Sequence, residues 1–266
     1  MKDPDIGAVS DLLRETAAAE ILPRFQALGS GEIMEKGPGD LVTIADIETE
    51  RALTPVLEAL VPGSLVVGEE AASKDPSILG RLAGEDAVWV IDPVDGTANF
   101  AVGMPLFASM ISFVRAGETI AAWIHDPVAG LMATAQKGGG AWLGDNRLAV
   151  AAPVATARAS GTLTFRFGDR ALVGRIASRT NLVGSVFSLR CAGQEYLGLL
   201  RAQAHFAIYH RTLPWDHTAG FLMHQEAGGY GRRLDGSIYS PRHQDGGLLL
   251  APDEASWRGL HDTLIG

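Results

Sequence analysis

Apolar positions Ile6, Val9, Leu12, Leu13, Ile21, Leu22 and Phe25 recur at the spacing of one helix face, which predicts a long first helix. Asp3-Pro4 offers a capping acid and a proline for its first turn, and the helix is expected to run to about Leu28 and stop at Gly29 to Gly31. Ile44, Ile47, Leu53, Val56, Leu57 and Leu60 repeat the pattern in a second helix that begins near Thr43 and closes at Pro62-Gly63. The period then changes. Residues 64–67, 87–91, 106–114, 119–124 and 131–135 are short apolar runs between polar or glycine-rich turns and read as strands. Lys137-Gly138-Gly139-Gly140 reads as a hairpin or sheet-edge turn. Further on, strands at 162–167, 182–189 and 204–209 alternate with helices at 170–178 and 192–202. A helix opening at Pro214-Trp215-Asp216 and ending at Gly228-Gly229, a strand at 247–251 and a last helix from Asp253 complete the pattern. Strands followed by helices in both halves imply an α/β (α+β) chain of stacked layers. The expectation is a single domain over 1–266, divisible near 144–153 into subdomains 1–148 and 149–266.

Composition narrows the class. At 266 residues and 47% hydrophobic content the chain can bury a large core, so a disordered or fibrous protein is excluded. The net charge of -9 and the lack of any Lys/Arg run leave nucleic acid and anionic membrane without an electrostatic basis for binding. No stretch approaches the roughly 18 apolar residues that span a bilayer. Met1-Lys2-Asp3-Pro4 does not open a basic-then-apolar leader, and the single cysteine, Cys191, cannot form an internal disulfide. Both point to a cytoplasmic protein.

The chemistry is concentrated in Trp89-Val90-Ile91-Asp92-Pro93-Val94-Asp95-Gly96-Thr97-Ala98-Asn99-Phe100. An apolar strand delivers Asp92 and Asp95 at its C-terminal end, and Pro93 and Gly96 force an abrupt turn. Carboxylate oxygens are what a hard cation such as Mg²⁺ takes, together with water and substrate phosphate. Gly96-Thr97-Ala98-Asn99 can open a helical turn whose free N–H groups seat a phosphate. A lone Asp-x-x-Asp is more often a turn cap. Here three further acidic sites stand at the edges of apolar elements: Asp46, Gly68-Glu69-Glu70 and Pro214-Trp215-Asp216.

Asp40-Leu41-Val42-Thr43-x-Ala45-Asp46, Gly68-Glu69-Glu70, Asp92-Pro93-Val94-Asp95-Gly96-Thr97-x-Asn99-Phe100, Pro214-Trp215-Asp216-x-x-Ala219-Gly220 and Glu226-Ala227-Gly228-Gly229 together resemble the inositol monophosphatase family, in its order and across most of the chain. The resemblance implies a layered α-β-α-β-α sandwich, a homodimer, lithium sensitivity and Mg²⁺-dependent hydrolysis of a small phosphorylated metabolite, with two or three Mg²⁺ per site. It implies a metal- and phosphate-binding half at 1–148 and a substrate-side half at 149–266. Residue by residue, it gives Glu69, Asp92 and the carbonyl of Ile91 to one metal, Asp92, Asp95 and Asp216 to a second, and Glu69 to a weaker third. Thr97, oriented by Asp46 and with Glu69 nearby, positions and deprotonates the attacking water. Gly96 and Thr97 bind phosphate through their N–H groups, while Glu70 and Lys36 support the shell.

The substrate end, expected at Asp95, Arg190, Ala192 and Tyr209, departs from the family. Tyr209 stands where a sugar-contacting glutamate is usual, and Arg190-Cys191-Ala192-Gly193 replaces a Gly-Ser/Thr-Ala-Ala run. Arg190 either binds an anionic or planar group or pairs with a local acid such as Glu195. Histidinol phosphate and sugar phosphates therefore stand beside inositol phosphate as candidate substrates, and a phospho-ligand-binding member with weak catalysis is the alternative of another class. His205, His210, His217 and His224 have no zinc-ligand spacing.

Overall fold

In the computed structural model, which describes residues 3–37, 39–164 and 168–266, helix α1 (Ile6–Thr16) is capped by Asp5, whose carboxylate accepts the Ala8 N–H at 3.0 Å. Asp3, the cap expected from the sequence, instead accepts from Arg115 at 2.8 Å. The helix is also shorter than its apolar stripe. Ala17–Ile21 widens into a π turn and Leu22–Arg24 tightens into a 3₁₀ turn, because Pro23 has no N–H for the turn below it. A hairpin of β1 (Ile33–Gly37) and β2 (Asp40–Thr43) follows, then α2 (Ile44–Leu60), β3 (Leu65–Gly68), α3 (Glu69–Lys74), β4 (Ala87–Asp95) and the short α4 (Thr97–Ala101). Next come β5 (Ala108–Arg115), β6 (Glu118–Asp126), β7 (Leu131–Gln136), β8 (Gly140–Leu143) and β9 (Asn146–Arg147). The later part runs β10 (Ser160–Leu163), α5 (Arg170–Ser178), β11 (Ser185–Phe187), α6 (Ala192–Leu200), β12 (Phe206–Tyr209), α7 (Pro214–Glu226), β13 (Tyr230–Arg233), β14 (Leu248–Ala251) and α8 (Glu254–Leu264). The strand expected at 162–167 starts earlier, and positions 165–167 lie outside the described residues. The run expected as one strand at 182–189 holds only the three residues of β11.

Among the described residues the strands form a two-, a seven- and a five-stranded sheet, ordered β1-β2, β3-β4-β5-β6-β7-β8-β9 and β11-β10-β12-β14-β13. Period-two alternation assigns each face. Trp89 and Ile91 of β4 join Ile111, Phe113 and Trp123 under Val9 and Leu13 of α1 and Leu53 and Leu57 of α2. On the other face of the same sheet, Met110 and Ile124 pack against Tyr196 and Leu199 of α6 and Phe221 and Met223 of α7. These two helices are covered in turn by Ala207, Tyr209, Leu248 and Leu250, while the intervening Phe206, Ile208, Leu249 and Ala251 face Ile176 of α5 and Trp257 and Leu260 of α8. The result is the expected α-β-α-β-α sandwich. The central layer can be thin because Gly220 lets α7 approach α6: a Cβ there would lie 2.2 Å from the Tyr196 ring. Glu226 at the end of α7 accepts the N–H groups of Gly138 and Gly140 at 2.7 and 2.9 Å, tying the glycine-rich β7–β8 turn to the same layer.

Candidate active site

In a regular strand Asp92 and Asp95, three residues apart, would point to opposite faces. The pairing of β4 with β5 breaks that rule. Asp92 stands opposite Met110 and Asp95 opposite Ala108, so three steps on β4 match two on β5. The extra residue forms a bulge at Pro93, which has no N–H for the ladder, and both carboxylates turn into one cavity of about 360 Å³. Helix α7 brings Asp216 in its first turn, behind Pro214. It is docked on β5 by the Ser112 hydroxyl, which donates to Thr218 Oγ1 at 2.8 Å. Ligand oxygens of Asp92, Asp95 and Asp216 lie within 4.8 Å of one another, the one such group among the described residues. The four histidines considered from the sequence form no comparable cluster there.

Such crowding is unfavourable without a cation. Asp92 is 1% exposed, and its Oδ1 finds no hydrogen-bond donor. Burial, then the charges of Glu69, Asp95 and Asp216, push its carboxyl well above the usual range. Burial and Asp95 do the same to Asp216. Burial raises Asp95 to about 6, against hydrogen bonds from the Gly193 N–H and the Cys191 thiol that favour its charge. A buried, unpartnered carboxylate oxygen facing two more carboxylates is an oxygen donor set that fits a hard divalent cation. Glu69, the first residue of α3, lines the same cavity.

Glu69 is aimed by neighbours on two sides. Lys36 of the β1–β2 hairpin donates to Glu69 Oε1 at 2.7 Å and to Glu70 Oε1 at 2.9 Å. Burial works against its charge, but the two glutamates outweigh it and raise its pKa. Glu50 of α2 caps α3, accepting the N–H groups of Glu70 and Ala71 at 2.8 Å each. Gly68 leaves room for this, since a Cβ would lie 2.2 Å from the Glu50 carboxyl carbon. Nothing in the sequence singles out Glu50, an acid in the middle of a helix, until the fold sets it under α3.

The other wall begins at Gly96, whose φ of +86° is left-handed and where a Cβ would meet Leu106 O at 2.9 Å. It turns the chain into α4, so the N–H groups of Gly96, Thr97 and Ala98 precede any intrahelical acceptor and border the cavity. Thr97 Oγ1 lies 3.1 Å from Asp46 Oδ1 and 2.9 Å from Val94 O, acceptors for its one proton. Asp46 is fully buried. Its Oδ2 accepts from the Thr43 N–H at 2.8 Å and the Thr43 hydroxyl at 2.6 Å, a capping box that opens α2. Burial, then Glu69, pushes Asp46 up to about 7, against the two hydrogen bonds from Thr43.

Ile91, whose carbonyl the resemblance gives to a metal, is not among the residues that line the cavity; it is paired with Gly68 and Ile111 within the sheet. Val94, which the bulge carries past the regular ladder, lines the cavity instead. Glu70 is not among the cavity residues and meets the site through Lys36.

At the substrate end, Arg190, Ala192 and Tyr209 all line the cavity. Cys191 caps α6 and donates its thiol to Asp95 Oδ2 at 3.0 Å, and burial holds that thiol protonated. Glu195 is 2% exposed and accepts the Leu189 N–H at 2.9 Å, so it is not the partner of Arg190. Burial raises it to about 7. Tyr209 stacks on Tyr196, with centroids 5.6 Å apart, and lies 4.6 Å from the His217 ring. His217 bonds Tyr196 Oη and Arg211 O, and burial drops its pKa to about 3, so it is a neutral wall.

The profile of the inositol monophosphatase family matches residues 3–265. An inositol-1-monophosphatase of Rhizobium meliloti is 33% identical over 88% of this chain and 86% of its own length. A Nus factor SuhB of Pseudomonas aeruginosa is 34% identical over 83% of each chain. An IMPase of Thermotoga maritima shares the fold with a TM-score of 0.81 at 22% identity, covering 98% of this chain and 99% of that one. No helix among the described residues is long and apolar enough to cross a membrane. The motifs, the sandwich and the acidic cavity agree with these likenesses, and the chain belongs to the inositol monophosphatase family, a family of metal-dependent phosphatases.

Proposed function

We propose that the protein is a Mg²⁺-dependent phosphomonoesterase that hydrolyses a small phosphorylated metabolite by direct attack of water. The observation that carries this reading is one cavity lined by Asp92, Asp95 and Asp216 on one side and by Thr97, which is backed by the buried Asp46, on the other. Glu69, Asp92, Asp95 and Asp216, with the carbonyl of Val94, are the residues that would hold two or three Mg²⁺. A bound divalent cation supplies a Lewis acid that makes water acidic and neutralises charge on the phosphate. The Gly96 and Thr97 N–H groups donate to phosphate oxygens. With its proton on Asp46, the Thr97 hydroxyl presents lone pairs to the attacking water, takes its proton and relays its own to Asp46. Asp46, buried behind Thr97, is the base that ends this relay, and such a base contributes on the order of 10²- to 10⁴-fold in rate. The substrate alcohol rests on the wall of Ala192, Arg190 and Tyr209. No covalent nucleophile is required, and the Cys191 thiol stays protonated.

Phosphate release from inositol 1-phosphate, histidinol phosphate and fructose 1,6-bisphosphate tests this, with Mg²⁺, with chelator, and with Asp95→Ala as control. At least one substrate is expected to release phosphate only with Mg²⁺ and intact Asp95. No release from any of them by folded protein overturns catalysis in favour of phospho-ligand binding alone.

A further inference from the structure

The segment entering α6 is fixed on both sides of a single unusual residue. Leu189 donates its N–H to Glu195 Oε1 at 2.9 Å and accepts Asn99 Nδ2 at 2.8 Å. Cys191 is held by Asp95 Oδ2 at 3.0 Å and by the Gln194 N–H at 3.4 Å. Arg190, between them, has φ +55°, a left-handed conformation unfavourable for a side chain of this size and easily met by glycine. Strain that the surroundings over-determine gathers where a side chain must be displayed. The displayed side chain here is exposed, borders the cavity, and pairs with no carboxylate among the described residues, Glu195 being engaged with Leu189. Arg211 borders the same cavity. A chain of net charge -9 with an acidic cavity floor repels a multiply charged ligand unless cations are placed locally.

Resting on the phosphatase reading above, we infer that Arg190 binds a second anionic group on the substrate. The preferred substrates are then phosphomonoesters whose alcohol also bears a carboxylate or another phosphate. The guanidinium fork meets either oxyanion through paired N–H groups.

Matched pairs test this: 3-phosphoglycerate against glycerol 1-phosphate for the carboxylate, and fructose 1,6-bisphosphate against fructose 1-phosphate for the second phosphate. kcat/KM is measured with Mg²⁺ for the wild type, Arg190→Gln and Arg190→Lys. The wild type is expected to favour the more anionic member of at least one pair by about tenfold, a typical yield of one charge-assisted contact. Arg190→Gln should cut that ratio by about tenfold, chiefly through KM, and Arg190→Lys should restore part of it. No preference in the wild type, or an equal fall for both members in Arg190→Gln, overturns the assignment and leaves the phosphatase reading standing. No release from any of the four overturns the assignment, and the phosphatase reading falls with it only if inositol 1-phosphate and histidinol phosphate release nothing either.

Discussion

Asp46 joins folding to chemistry in one side chain. One oxygen closes the capping box with Thr43, and the other faces the Thr97 hydroxyl. Asparagine keeps the size and an acceptor but not the charge that receives a proton. Asp46→Asn is therefore expected to lower kcat by about 100-fold with KM little changed, read from steady-state phosphate release. A rise in KM with kcat unchanged would place Asp46 in binding instead. The acids flanking glycine and proline were legible because each ends an apolar run beside a turn former. The exchange of Ile91 for Val94 was not, since a bulge shifts the cavity-facing residue without any signal beyond Pro93. Glu50 is hidden as a metal-site neighbour, because its partners are backbone N–H groups that only the fold brings near.

Among the elements, α3 is the most exposed to a single change. It spans six residues, too short to persist without its cap, and Glu50 supplies that cap from another helix. Glu50→Gln weakens the cap and leaves Lys36 to hold Glu69. The expected loss is about 1 kcal/mol of stability in thermal unfolding and on the order of 10- to 100-fold in Mg²⁺ affinity from the activity titration. Unchanged Mg²⁺ affinity would reduce Glu50 to a structural cap. Long apolar stretches located most helices and central strands from the sequence. The β1–β2 hairpin that carries Lys36 is not legible in the sequence because Ile33–Gly37 has no clean alternation and is partly exposed. The apolar stripe predicts a first helix longer than α1 because it continues through the π and 3₁₀ turns around Pro23.

Across the whole molecule, the site concentrates negative charge that the fold must tolerate when no cation is bound. Asp46 and Glu50 are pushed up to about 7 and Asp95 to about 6, from ordinary values of 3.8, 4.5 and 3.8, chiefly by burial. Raised carboxyl pKa values mean that the folded chain binds more protons than the unfolded one between about pH 4 and 7. Stability of the metal-free protein from these groups therefore falls as pH rises through that window. Bound Mg²⁺ needs the carboxylates ionised, so its stabilising effect grows over the same range. Thermal unfolding from pH 5 to 8, in chelator and in Mg²⁺, should show a Tm increment that widens with pH. An increment independent of pH would separate metal binding from these acids.

The most direct test is the rate of phosphate release as a function of Mg²⁺ concentration, wild type beside Asp92→Asn, with circular dichroism confirming that both are folded. The account predicts a saturable rise for the wild type and, for the variant, a rate lower by orders of magnitude at every Mg²⁺ concentration. Equal rates in the two proteins, or a wild-type rate indifferent to Mg²⁺ and chelator, would contradict it.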